Sequence, residues 1–94
     1  MDESLDLEQL GRLCRTGRAE LVEWVELGVI EVRGREREPG EWRFAAAAVP
    51  GAVAVARLAR ELELTPYAAA LVHDLLVERR RLECRVAALE RLLE

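Results

Sequence analysis

Apolar residues fall at helical spacing in four stretches of the chain, with a strand-like interlude between the second and third. In the first stretch Leu7, Leu10 and Leu13 recur three apart, Asp6 occupies an N-cap position, and Gly11 permits close approach of a neighbouring element. Cys14-Arg15-Thr16-Gly17 reads as a turn. The second helix, Arg18 to Leu27, turns Leu21, Trp24, Val25 and Leu27 toward a core and stops at Gly28, a residue suited to the position just past a helix end. Its outward face then holds Glu20 and Glu23, three apart, with Val22 and Glu26 at the margins.

Val29-Ile30-Glu31-Val32 has strand composition, and Glu41-Trp42-Arg43-Phe44 alternates polar with aromatic. The charged loop from Arg33 to Gly40, closed by Pro39-Gly40, joins the two runs as a small hairpin. Ala45 to Val49 is a short lead-in, Pro50 stands near the first position of a third helix, and Val53, Ala54, Leu58 and Leu62 are the residues that helix should bury. Thr65-Pro66 couples an N-cap hydroxyl to a proline at the first helical position and opens a fourth helix that nothing interrupts up to Glu94. The first half of this helix has a wide apolar stripe, including Leu71, Val72, Leu75 and Leu76, suited to packing on its own domain.

Its second half narrows to a seam that repeats in heptads. Ala68, Leu75, Leu82 and Leu89 fall at d, Val72, Arg79, Val86 and Leu93 at a, and Glu83 and Glu90 at e. On a lone helix held by within-helix pairs such as Glu78 with Arg81 and Arg79 with Glu83, those apolar residues would be left in water. Leu75, Leu82, Val86, Leu89 and Leu93 are therefore expected to form a homodimer interface.

Length and composition limit what such a chain can be. Its 94 residues make one domain, 1–94, in which 7–62 holds the first helices and the hairpin and 65–94 the dimerisation helix. A core this small gains from a partner that buries more surface. A formal net charge of -4 argues against general affinity for nucleic acid or anionic lipid, which depends on surplus cations. All basic residues are arginine and asparagine is absent, a bias that fits a GC-rich genome and a heat-adapted source without speaking to function. Cys14 and Cys84 match no metal-ligand spacing and read as reduced thiols of a cytoplasmic protein. The acidic start, Met1 to Asp6, lacks the basic residues and apolar run of a secretion signal. The apolar run from Ala45 to Ala56 is shorter than the roughly 18 residues a bilayer requires and is broken by Pro50-Gly51, so no membrane association is expected.

Catalytic chemistry finds little support. His73 is the sole histidine and Ser4 the sole serine, and His73 and Asp74, adjacent on a helix, diverge by about 100° and cannot act as a dyad. No enzyme activity, cofactor or metal is expected. Arg79-Arg80-Arg81 reads as a solvated basic face beside Glu78 and Glu83.

Two helices around a tight turn, a hairpin and a long terminal helix make a mainly α fold, a winged helix-turn-helix with a small β-hairpin wing and a coiled-coil helix. In that arrangement the second helix reads DNA, yet Arg18 to Leu27 sets one arginine against three glutamates. Phosphates repel such a surface, which points to a protein partner instead.

The residues Leu7-Glu8-Gln9-Leu10-Gly11, Leu21 with Trp24, Leu27-Gly28-Val29-Ile30 and Glu41-Trp42-Arg43-Phe44 together resemble the MerR-type winged helix-turn-helix. Within that superfamily, Leu27 to Glu31, the Trp42-Arg43-Phe44 wing end, Arg57 to Leu64 and the long last helix look most like the CbpM chaperone modulators. The resemblance spans nearly the whole chain from Leu7, its specificity lying in motif order and spacing. It implies binding to the J-domain of a CbpA/DnaJ-like co-chaperone and inhibition of its stimulation of a DnaK-type chaperone. Glu20, Val22, Glu23 and Glu26 would then face the basic helix of the J-domain. Two features depart from the pattern: the first residues look less strand-like than the family implies, and Arg33, Arg35, Arg37 and Arg43 give the wing a basic cast, largely cancelled by Glu31, Glu36, Glu38 and Glu41. The alternatives are a small MerR-like DNA-binding transcriptional regulator whose wing touches phosphates, and a purely structural coiled-coil adaptor.

Overall fold

Asp6 starts the first helix with a reciprocal cap. In the computed structural model, which describes residues 3–94, the Asp6 carboxylate accepts from the Gln9 amide at 2.8 Å while the Gln9 side-chain oxygen accepts from the Asp6 amide at 2.9 Å. Donors that no helical carbonyl reaches are thereby satisfied. Helix α1 (Leu7–Cys14) buries Leu7, Leu10 and Cys14, and its chain reverses through Arg15 at φ 56°. Leu13 points outward instead, because burial of Leu10 and Cys14 fixes a face that Leu13 does not share. A Cβ at Gly11 would stand 3.2 Å from the Thr16 carbonyl oxygen and 3.5 Å from Leu21, so the turn closes onto bare backbone there.

Helix α2 (Arg18–Glu26) sends Leu21, Trp24 and Val25 into the core, whereas Leu27, expected inside, is exposed. Gly28 (φ 79°) ends the helix: its amide donates to the Val25 carbonyl and the Val29 amide to the Trp24 carbonyl, the paired bonds of a Schellman motif. That ending also explains why the expected hairpin is reduced. Val29 and Ile30 both spend their amides on the Trp24 carbonyl, and the Trp42 amide closes a 3-10 turn over Pro39–Glu41. The pairing is consequently reduced to one antiparallel bridge, between Arg33, just past the first run, and Arg43 of the second.

The two-stranded antiparallel sheet is built from β1 (Ser4–Leu5) and β2 (Phe44–Ala45), with Leu5 opposite Phe44 and Ser4 opposite Ala45. Ser4 and Leu5, in a stretch less strand-like than the family pattern implies, thus form a strand because β2 offers an edge. Arg43 locks the pair by donating from its guanidinium to the Ser4 carbonyl at 3.0 Å and to the Ser4 hydroxyl.

A 3-10 turn over Ala46–Ala48 leads into α3 (Val49–Glu61), with Pro50 in its first turn where a missing amide hydrogen costs nothing. The face that α3 buries is Ala52, Val55 and Ala56, not the expected Val53, Ala54, Leu58 and Leu62. Val53 and Leu58 are half-buried; Ala54 and Leu62 are exposed. Two alanines let α3 approach its neighbours closely, and Arg60 fixes its rotation by donating to the Cys14 carbonyl at 2.8 Å and the Arg15 carbonyl at 3.3 Å. A cation on the last carbonyls of α1 also suits the negative end of that helix.

Helix α4 (Pro66–Leu92) begins where Thr65-Pro66 places it, the Thr65 hydroxyl accepting from the Ala68 amide. Trp24 ties α4 to α2: its indole nitrogen donates to the Pro66 carbonyl at 2.8 Å. Only Ala69 and Ala70 of α4 are buried, and Leu71, Leu75 and Leu76 are exposed rather than packed on their own domain. Around Trp24, Phe44, Leu10, Leu21 and Val55 the rest of the core closes, with Trp42 edge-on to Phe44 at 6.4 Å between ring centroids.

Candidate partner-binding surfaces

The outward face of α2 is acidic. Glu20, Glu23 and Glu26 are exposed and form no ion pair among the described residues. They are not equivalent. The Glu20 carboxylate folds back over Gly17 at the helix N-terminus, where a Cβ on that glycine would meet it, and a negative charge there favours the helix. Glu23 and Glu26 lie in the last turn, which contains no basic residue, and oppose the same macrodipole. Those two carboxylates cost the helix stability and form no ion pair among the described residues.

Val22 stands at the margin of this face. It is half-buried and packs against the core. Leu27, 42% exposed immediately after Glu26, is the apolar residue available there. The spacing rule had placed Leu27 inside; it keeps helical backbone as the residue before Gly28, and its side chain falls outside the face that Leu21, Trp24 and Val25 bury.

Much of the arginine in the wing is spent inside the molecule. Arg35 donates to the Glu26 carbonyl at 3.1 Å, covering the end of α2; Arg43 holds Ser4; Arg37 stands 4.0 Å from Glu36, and its carbonyl accepts from the Trp42 indole nitrogen. A phosphate would compete with these contacts for Arg35 and Arg43.

The second surface is the α4 seam. Leu75, Leu82, Val86, Leu89 and Leu93 are 50% to 87% exposed, and every residue from 74 to 94 is exposed. Arg79 pairs with Glu83 at 3.6 Å and Arg81 with Glu78 at 3.7 Å along the helix, contacts worth about 0.3–0.5 kcal/mol each, far less than covering the leucines would bring. His73 lies half-buried where α3 meets α4, its Nδ1 enclosed without a hydrogen-bond partner among the described residues, and Asp74 beside it points to solvent. Cys14 is buried and Cys84 exposed; burial pushes the Cys14 thiol above its ordinary range, the nearby Arg60 guanidinium pulling partly the other way. Among the described residues no three His, Cys, Asp or Glu side chains gather as metal ligands, and no helix is long and apolar enough to cross a membrane.

Two helices around a turn, a strand-supported wing stub and a long projecting helix define a helix-turn-helix protein of the regulatory class. The family model for the MerR HTH family regulatory protein matches residues 5–91, and the chain belongs to that family. No curated protein matches the chain significantly.

Proposed function

We propose that this MerR-family chain is a chaperone modulator of the CbpM kind, which binds the J-domain of a CbpA/DnaJ-like co-chaperone and keeps it from stimulating a DnaK-type chaperone. The observation that carries the reading is the pair Glu23 and Glu26. Both lie in the last turn of the helix that would enter a DNA groove, opposing its dipole, exposed and unpaired among the described residues. A surface that costs its own helix stability and repels phosphate is suited to a basic protein partner. Complementary charge sets association rate and specificity, while Leu27 supplies the apolar contact that the half-buried Val22 does not. Inhibition is steric: the J-domain surface needed by the chaperone is occupied.

The active species is a homodimer joined by α4. Heptad positions choose its orientation. In a parallel pair Arg79 would meet the partner's Arg79 at a, and Glu78 at g would meet the partner's Glu83 at e. In an antiparallel pair Leu75 meets the partner's Val86, Val72 the partner's Leu89, and Arg79 the partner's Leu82. Glu78 then meets the partner's Arg85, and Leu71 meets the partner's Leu92. The antiparallel pairing removes both repulsions and covers two leucines, Leu71 and Leu92, that lie outside the a and d positions and are exposed in one chain.

The test is co-purification with a DnaJ-like protein of the same organism and inhibition of J-stimulated ATP hydrolysis. Glu23→Arg with Glu26→Arg should relieve inhibition without loss of helix content, since both changes favour the helix dipole. Failure to bind any such J-domain, together with sub-micromolar binding to duplex DNA at physiological salt, would replace this reading with the transcriptional regulator.

A further inference from the structure

Helix α3 has two apolar faces, and the fold buries one of them. Ala52, Val55 and Ala56 enter the core, while Ala54, Leu58 and Leu62, spaced by four, run along the other side. Ala54 and Leu62 are open to solvent and Leu58 is half-buried. Across from them Leu76 and Val77 of α4 are 45% and 53% exposed. Between the two helices lies a groove of about 460 Å³. Its wall on α3 uses positions 54, 57, 58 and 61 and its wall on α4 positions 73, 76, 77 and 80. Both follow the i, i+3, i+4, i+7 spacing of a helix face, so the groove has the form that accepts the side-chain ridge of a third helix.

The α4 seam does not cover it. Val77 and Arg80 fall at f and b of the heptads, on the side of α4 away from Leu75 and Leu82, and only Leu76, at e, borders the seam, so a second copy paired along the seam leaves the Val77 and Arg80 side of the groove open. Charge narrows the occupant. Arg57 stands on one wall and Arg80 on the other; Arg57 is 3.3 Å from Glu61, and Arg80 forms no ion pair among the described residues. Two guanidiniums flank an apolar floor against one carboxylate.

We propose that the α3–α4 groove is a docking site for an acidic amphipathic helix of another protein, its apolar ridge on Ala54, Leu58, Leu76 and Val77 and its carboxylates on Arg57 and Arg80. The preference is opposite in sign to that of the acidic α2 face, so the two surfaces select different partners, and the groove does not depend on the J-domain reading.

The test titrates the full chain with labelled helical peptides of about five turns, identical in their leucine ridge and flanked either by glutamates or by lysines. The glutamate peptide should bind at least about tenfold more tightly than the lysine peptide and weaken as salt rises. Arg80→Glu should reverse that preference, and Val77→Glu, a change at an exposed position that leaves the circular dichroism unchanged, should abolish binding of the glutamate peptide. Amide shifts in a ¹⁵N-labelled sample should gather on α3 and the first half of α4. Equal binding of the two peptides, undiminished binding to Val77→Glu, or shifts confined to α2 or the distal seam would overturn the proposal. So would saturable binding of a long-chain fatty acid in the groove with no binding of the glutamate peptide.

Discussion

Glu78→Arg separates the two orientations of the proposed α4 dimer by the sign of its effect. In the antiparallel pairing Glu78 faces the partner's Arg85, and the two-fold axis makes this contact twice. An exposed pair of this kind is worth about 0.5 kcal/mol, and reversing one charge replaces attraction with repulsion of similar size. Two pairs together lose about 2 kcal/mol, or about 30-fold in the dimer dissociation constant. The within-helix contact of Glu78 with Arg81, 3.7 Å and more than half exposed on both sides, adds only a few tenths of a kcal/mol. In a parallel dimer the same substitution would set arginine against the partner's Glu83 and tighten association. Sedimentation equilibrium over nanomolar to micromolar concentration, at low salt and again at about 1 M where the Debye length falls to about 3 Å, should show weakening that salt abolishes. Adding Arg85→Glu should restore the affinity. Tighter association of Glu78→Arg, no rescue by the second change, or a monomeric unmodified protein at micromolar concentration would refute the reasoning.

Trp24→Phe removes the indole donor to the Pro66 carbonyl and shortens a fully buried ring, and urea denaturation should record a loss of about 2 kcal/mol. Glu63 closes α3 with φ 52°, its amide and that of Leu64 donating to the Arg60 and Ala59 carbonyls, so Glu63→Gly should gain about 0.5–1 kcal/mol in the same assay. The Cys14 thiol titrates above its ordinary 9.0 in the folded chain, because burial disfavours the thiolate. The folded state therefore holds that proton longer, its contribution to stability is complete below pH 9 and is lost as pH rises through the folded value, and Cys14→Ala should flatten the alkaline limb of a stability-versus-pH curve.

Helix boundaries were legible because local chemistry sets them. Asp6, Gly28 after α2 and Thr65-Pro66 each act within a few residues, and each stands where the sequence places it. The wing was not, since strand composition at Val29-Ile30 says nothing of the Trp24 carbonyl that takes both amides. Periodicity likewise marks two apolar faces on α3 without ranking them; the choice of Ala52 and Ala56 depends on how closely α1 and α4 approach. For the same reason the α4 leucines expected to pack at home are exposed, with Ala69 and Ala70 in their place. On the acidic face the outward carboxylates followed from spacing, whereas the half-burial of Val22 and the exposure of Leu27 depend on which sides of α2 its neighbours cover.

The separation of support from surface in α2 explains how one scaffold can serve opposite partners. Nine residues are too few to hold a helix in water, so α2 exists through what its inner face touches: Leu21, Trp24 and Val25 in the core, the Schellman closure at Gly28 and Arg35 on the Glu26 carbonyl. None of these contacts uses the outward side chains of Glu20, Glu23 or Glu26. The outward charge is therefore free to change sign at a cost of a few tenths of a kcal/mol each, within what the core can absorb. Membership of the MerR family fixes the support and leaves the partner to those side chains. An acidic face on this helix is then as compatible with the fold as a basic one, and its charge is the term that discriminates a basic protein surface from a phosphate backbone.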